Sequence, residues 1–535
     1  MNAKISYYRL RILIIIGVAF LTQSCNKLLD VNPGEYTLTS GGFYKNKAEL
    51  NDALRGVYSF LASGDLYGSA MLGRMGLDAD EGYINNSVDR GTIGYYDAST
   101  ADTKILFYWR AVYAAINNAN AILAQVDNPE IEIDKAERDN IKGQALFLRG
   151  YYYFMLLTKF GEVPLVKKPT SSSGSMDVYL PRTSLKTIYE SIVEDMEQAS
   201  ALVYDINNVE SSGRVSKSVV WGMLARVCLH MAGEPLKDLS KYNEAAKYAK
   251  MVIDTKYHEL NPSYKQVFVN YAQDKYDPKE SIWEVEFYGD GKGVYKNIYG
   301  TVGRTNGIKY AGTDGLSFGY SVGVTYTTEW LYNLYEANDL RRDWAIAPFR
   351  YVNDQKEYWT ASANKLQRNA GKFRREEEIL LPRNPSSTPQ NFPLLRYSDV
   401  LLMYAEAINE SEGNPENALK YINQVRRRAK GIAVEGGNTS ADLPSGIPYS
   451  DFKTEIKNER ARELCFELLR RDDLMRWGMF YNSMKIRLSQ IPSGTSGYLV
   501  QARLYFGNVS LRDIRWPIPS YEMGINNQLE QNTGW

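Results

Sequence analysis

A hydrophobic spacing of three and four residues returns in segment after segment of this chain, and it restricts the fold more than any other feature. In TSLKTIYESIVEDMEQA, the residues Leu185, Ile188, Tyr189, Ile192, Val193, Met196 and Ala199 follow the i, i+3, i+4, i+7 template. Similar patterns cover roughly 47–62, 104–126, 135–159, 217–232, 241–254, 396–411, 415–429 and 452–471. Each pattern predicts a helix with an apolar stripe that has to be covered by a neighbour. The expected fold is therefore mainly α.

Several of these segments predict short antiparallel pairs. LLMYAEAINESEGNPENALKYINQVRRRAK places a Gly-Asn-Pro turn between two amphipathic helices, with Ala405, Ala407 and Ala418 as small packing positions. KYNEAAKYAKMVID offers half of another such unit. The packing is tetratricopeptide-like without a clean repeat at that period. Gly233 and Gly413 fall where helix ends favour a residue tolerant of positive φ.

Tyrosine is the second conspicuous feature, at 41 of 535 residues. In LFLRGYYYFMLLTKFGEVPLV (146–166), the run Tyr151-Tyr152-Tyr153-Phe154 lies in a helix apolar nearly all round, so those rings are expected in the core. Residues 289–330 contrast with it. They hold ten glycines and no regular period, yet carry Tyr295, Tyr299, Tyr310, Tyr320 and Tyr326. Long irregular segments in compact domains tend to carry function, and aromatics there are expected to be exposed. EGYINNSVDRGTIGYYD is a second irregular patch, with Asn85, Asn86, Tyr95 and Tyr96.

The N-terminus is of another kind. Lys4, Arg9 and Arg11 precede the apolar run ILIIIGVAFL, which predicts a secretory signal over 1–24 and is too short for a membrane-spanning helix. Ser24 before Cys25 suits a cleavage site, and a Cys in that place resembles the lipobox of bacterial lipoproteins, although Thr22 stands where that box has Leu. Ordinary cleavage, leaving Cys25 a spare thiol, is the alternative. Residues 25–46 read as a tether, and 47–535 as one helical domain.

The remaining chemistry is sparse. Basic and acidic residues balance at 63 each, with no long basic block, so capture of nucleic acid has no support. Cys228 and Cys465 sit in apolar helical runs and read as buried free thiols. His230 and His258 are far apart and read as structural or surface side chains, which leaves no basis for a Ser-His-Asp triad or a His-based zinc site. GDGKG at 289–293 lacks the spacing of a phosphate loop. Glu459, Glu463 and Glu467 share a helix face beside Arg460, Arg470, Arg471 and Arg476, and read as an ion network rather than a glycosidase pair. Asp78, Asp80 and Glu81 could offer oxygens to Ca²⁺, but without EF-hand spacing a hydrated surface or turn is expected. No metal and no cofactor is expected.

Together these stretches resemble the SusD/RagB family of outer-membrane nutrient-binding lipoproteins. The opening CNKLLDVNP, the block QALFLRGYYYFMLLTKFGEVPLV, then TEWLYNLYEANDLRRDW, FPLLRYSDVLLMYAEAINE and IKNERARELCFELLRRDDLMRWG occur in the family's order, and RWPIPSYEMGINNQLEQNTGW is similar to its closing segment. The resemblance covers essentially the whole mature chain. It implies a SusD-like α-helical domain on tetratricopeptide-like helix pairs, with an irregular, loop-rich portion carrying the ligand face. It also implies a lipid-anchored protein on the outer face of the outer membrane, capping a SusC-like TonB-dependent β-barrel transporter and passing oligosaccharides, or in some branches peptides, to it.

Sugars present apolar C–H faces bordered by hydroxyls, which rings and polar side chains can read together. Tyr95, Tyr96, Tyr295, Tyr310 and Tyr320 are the expected platforms, with Arg74, Asn85 and Asn86 as polar selectors. The expected function is non-catalytic glycan capture. A peptide-binding lid of the same fold and an exported glycoside hydrolase acting through Glu463 are the rival readings.

Overall fold

The computed structural model describes residues 44–72, 75, 79–170, 179–209, 211, 213–289, 299–437 and 439–535; Cys25, Arg74, Asp78 and Tyr295 lie outside them. Capping side chains fix the starts of the first helices. Asn46 accepts from the Glu49 amide at α1 (Lys47–Ser59), Asp102 from Lys104 and Ile105 at α2 (Thr103–Gln125), and Asp134 from Glu137 at α3 (Lys135–Phe160). Ser184 and Ser216 do the same for α4 (Leu185–Leu202) and α5 (Lys217–Ala232). α6 (Lys241–Asp254) and α7 (Tyr264–Ala272) follow. Among the described residues, the middle of the chain holds the short α8 (Val302–Asn306), α9 (Glu329–Leu334) and α10 (Arg342–Ala345). Regular helices return with α11 (Tyr397–Glu412), α12 (Glu416–Ala429) and α13 (Tyr449–Leu464). The chain closes with α14 (Arg470–Arg476), α15 (Phe480–Gln490), α16 (Gly497–Asn508) and α17 (Ser520–Ile525).

Apolar stripes are buried by pairing. α2 packs on α3, α3 on α4, α4 on α5, α5 on α6, α6 on α11, and α11 on α12 and α13. Among the described residues six short strands serve as clips: β1 (Gly82–Ile84), β2 (Ser281–Val285), β3 (Thr325–Thr327), β4 (Phe349–Val352), β5 (Gln355–Tyr358) and β6 (Phe392–Arg396). β1 pairs with β3, β2 with β6, and β4 with β5, all antiparallel.

The YYYF run is core. Tyr151, Tyr152, Tyr153 and Phe154 are all buried. Each hydroxyl has a partner, as buried Tyr requires. Tyr152 donates to the Val57 carbonyl at 2.8 Å, Tyr153 to Val166 at 2.9 Å, and the Tyr151 and Tyr67 hydroxyls lie 2.6 Å apart. Cys228 and Cys465 are buried free thiols. His230 packs edge-on against Phe154, and His258 meets the Pro278 carbonyl through Nδ1.

Glu459 and Glu463 of α13, with Glu467 in the turn that follows it, form a buried ion network. Glu463 lies 2.6 Å from Arg428 and 3.0 Å from Arg396; Glu459 lies 2.6 Å from Arg341; Glu467 lies 2.8 Å from Arg396. All three carboxylates are buried. Burial alone would raise their pKa values, but for Glu459 the cations Arg341, Arg462 and Arg426 outweigh it and hold the group at about 2. Arg428, Arg396 and Arg341 likewise hold Glu463 low. A general acid needs the opposite displacement.

Three expectations give way. Asp80 and Glu81 lie in a turn, as one of the two expectations had it, but are buried rather than hydrated, because Asp80 takes both arms of Arg470, at 2.7 and 3.1 Å, and Glu81 accepts the Phe466 amide at 2.8 Å. The pattern over 452–471 is not one helix. Phe466 and Leu468 are left-handed, at φ 62° and 61°, and separate α13 from α14, so a continuous apolar period hides a turn fixed by the distant Glu81. Gly413 has the expected positive φ of 66°, whereas Gly233 has φ −93°. Glycine is needed at 233 for a different reason: a Cβ there would stand 2.3 Å from the Arg476 carbonyl oxygen.

Candidate functional site

A cleft of about 790 Å³ opens beside the C-terminal end of α1, bounded by the turn at 63–69, the stretch around Gly213, β2 and Tyr299–Thr301. Helix geometry places its first ring. Leu54 and Val57 carry the buried stripe of α1, which leaves Tyr58 at the stripe's edge, half-buried, with its ring on the cleft wall. The Tyr58 hydroxyl donates to Gln144 Oε1 at 2.7 Å and accepts from the Val215 amide at 3.1 Å. Burial pushes that hydroxyl up to about 12, so it stays protonated. The ring is therefore fixed from behind.

The Arg214 guanidinium carbon stands 4.9 Å from the Tyr58 ring centroid, within the range of a cation–π contact. Glu286, exposed just beyond β2, accepts the Gly213 amide at 3.1 Å. A Cβ at 213 would come within 2.8 Å of that carboxylate, so glycine permits the approach. Tyr299, also on the cleft wall, is 39% exposed. Thr301 Oγ1 donates to the Gly68 carbonyl at 2.9 Å and ties the Gly-rich segment to the 63–69 turn. The cleft thus combines the rings of Tyr58 and Tyr299, the cations Arg55 and Arg214, the carboxylates Glu284 and Glu286, and small hydroxyl residues such as Ser59 and Ser69. Such a mixture can cover apolar faces and satisfy hydroxyls around them.

The residues expected from sequence lie elsewhere. Tyr95 and Tyr96 are buried, not exposed. The Tyr95 hydroxyl donates to the Ile84 carbonyl and meets Gln501, while Tyr96 packs against Phe480 and Tyr505. α15 and α16, which the sequence reading did not anticipate, cover them. Tyr310 is buried too; its hydroxyl donates to Asp354 at 2.6 Å and its ring meets Phe318 and Tyr351. Tyr326 is buried in β3 beside Tyr83. Tyr320 is half-buried, 5.9 Å from Arg304. Asn85 is half-buried, and its backbone N–H donates to the Val324 carbonyl. Asn86 caps a short 3₁₀ turn and donates to Asp89. Asn85, Asn86, Tyr95 and Tyr96 are thus brought together as packing. Of the Gly-rich rings, Tyr299 reaches the cleft.

Tyr58, Arg214 and Glu286 escaped notice because each sits in an ordinary context: a helix end, an interhelical loop and a strand end. Among the described residues, no cluster of three or more His, Cys, Asp or Glu side chains could hold a metal, and no helix is long and apolar enough to cross a membrane.

Two family models together account for most of the chain. One, described as the SusD family, matches residues 279–535, and one described as starch-binding associating with outer membrane matches 27–229. The chain belongs to the SusD family. SusD-like protein P25 of Formosa agariphila is 26% identical over 97% of each chain. A SusD homolog from Bacteroides thetaiotaomicron superposes with a TM-score of 0.84 at 28% identity, covering 93% of this chain and 98% of its own. A laminarin binding SusD-like protein superposes at 0.71 with 21% identity, over 92% and 100% of the two chains, a likeness of fold. In this SusD family member the helix pairs are the scaffold, and the cleft lies where that scaffold meets the Gly-rich segment.

Proposed function

We propose that this SusD family protein is a non-catalytic capture protein for oligosaccharides, which it binds in the cleft between Tyr58 and Tyr299. It holds the sugar at the cell surface, anchored to the outer membrane through a lipid on Cys25, and delivers it to a TonB-dependent β-barrel transporter whose outer face it caps. One observation carries the binding site: a ring fixed from behind, with an arginine and a glutamate beside it, on the wall of a cleft of about 790 Å³. Proteins of the same fold include one named as laminarin binding and one named surface glycan-binding protein A, from Bacteroides fluxus. The glutamates of α13, which a hydrolase reading would use, are sealed in the ion network and held ionised.

Isothermal calorimetry of the purified mature protein against a panel of oligosaccharides and peptides tests the reading. Binding of a saccharide that is recovered uncleaved supports it. Binding confined to peptides would move the ligand to another class, and turnover of the saccharide would overthrow the non-catalytic role. Cys25→Ser is expected to shift the protein from the membrane to the soluble fraction, and the transporter is expected to co-purify with the wild-type protein from detergent extracts.

A further inference from the structure

Arg214 is the least committed charged group of the cleft. Among the described residues no carboxylate lies within ion-pair distance of it, although Glu286 lines the same walls. Arg55, one helical turn before Tyr58, pairs with Asp52 instead. The Arg214 guanidinium stands over the Tyr58 ring on the cleft wall. Its planar fork of N–H groups is the part of arginine that pairs with carboxylate or sulfate oxygens two at a time. The geometry is set in advance, because Tyr58 is held by Gln144 and Val215, and the Gly213 amide beside Arg214 is held by Glu286. A fixed site loses little freedom on binding.

From this arrangement we infer that the cleft selects acidic oligosaccharides, with Arg214 reading a sugar carboxylate or sulfate and Tyr58 lying beneath the guanidinium. Glu286 complements the arginine by accepting sugar hydroxyls and repels an anion placed on the opposite side, which fixes the direction in which the chain lies. The inference rests on the cleft being the saccharide site.

The test compares three probes on the full mature protein: a uronate oligosaccharide, the same oligosaccharide with its carboxyl groups reduced, and a sulfated chain on a neutral backbone. One acidic probe is expected to bind about tenfold or more tighter than the reduced one, as a charge-assisted hydrogen bond would give, and to weaken as salt is raised. Whichever of the two binds identifies the anion. Arg214→Gln is expected to bring the acidic-to-neutral ratio to about one, and Arg214→Lys to restore part of it, with unchanged circular dichroism showing that both variants fold. Equal affinity for the reduced and acidic chains in the wild-type protein, or a preference that survives in Arg214→Gln, overturns the inference while leaving the cleft as a saccharide site. Failure of every saccharide, neutral ones included, overturns both.

Discussion

The hydroxyls of Tyr67 and Tyr151 lie 2.6 Å apart in the core, each the other's partner. Burial pushes the Tyr151 hydroxyl up to about 12, so neither ring ionises at neutral pH. Tyr151→Phe leaves the Tyr67 oxygen short of a partner and is expected to cost about 1–3 kcal/mol. The double variant Tyr67→Phe/Tyr151→Phe removes both polar groups and is expected to be more stable than the sum of the single losses implies. A double-mutant cycle in urea reads the coupling directly. Strict additivity would show that the two hydroxyls do not depend on each other.

Tyr96 gives a contrasting prediction about role. It sits at φ 52°, packed between Phe480 and Tyr505, and is buried. Tyr96→Ala opens a cavity beneath α15 and α16 and is expected to cost about 3–5 kcal/mol. Thermal melts would show the loss, while saccharide affinity measured below the melting transition stays at the wild-type value. A stable variant with abolished binding would return Tyr96 to the ligand site.

Acid should destabilise the fold in two stages. His230 is held neutral by burial first, then by the nearby Arg476, and its pKa falls from 6.5 to about 3. The unfolded chain therefore binds a proton that the folded chain refuses, so stability falls as pH drops from about 6.5 toward 3. Glu459 adds a second loss from about 4.5 toward 2, since its folded pKa lies near 2, and Glu463 acts in the same direction. Glu280, raised by burial, opposes these losses in part. Urea midpoints measured across this range are expected to fall in both windows, and His230→Gln is expected to reduce the upper one without abolishing it, because burial also lowers His258 from 6.5 to about 4. An upper window unchanged by that substitution would refute the assignment to His230.

Much of the helical scaffold was legible in the sequence. The stripes of α3, α5 and α6 are long and uninterrupted, so their burial follows from local spacing, and the YYYF rings went to the core for that reason. The irregular aromatics were not legible. Tyr95 and Tyr96 look exposed because their own segment offers no aliphatic cover; the cover comes from Tyr505 and Phe480, about four hundred residues away. The turn at Phe466 was hidden in the same way, since it depends on Glu81. A glycine-rich setting tells where the backbone is irregular, but not whether a distant helix closes over its side chains. Tyr299 alone of those described rings lies on the cleft wall, and Tyr58 was masked by its regular helix.

The proposed site puts saccharide between Tyr58 and Tyr299. A crystal structure of the mature protein with a bound oligosaccharide is the decisive measurement. Density for a sugar ring is expected in the cleft, in contact with both tyrosines and within hydrogen-bond reach of Arg214 or Glu286. Density elsewhere on the surface, with the cleft filled only by solvent, would contradict it.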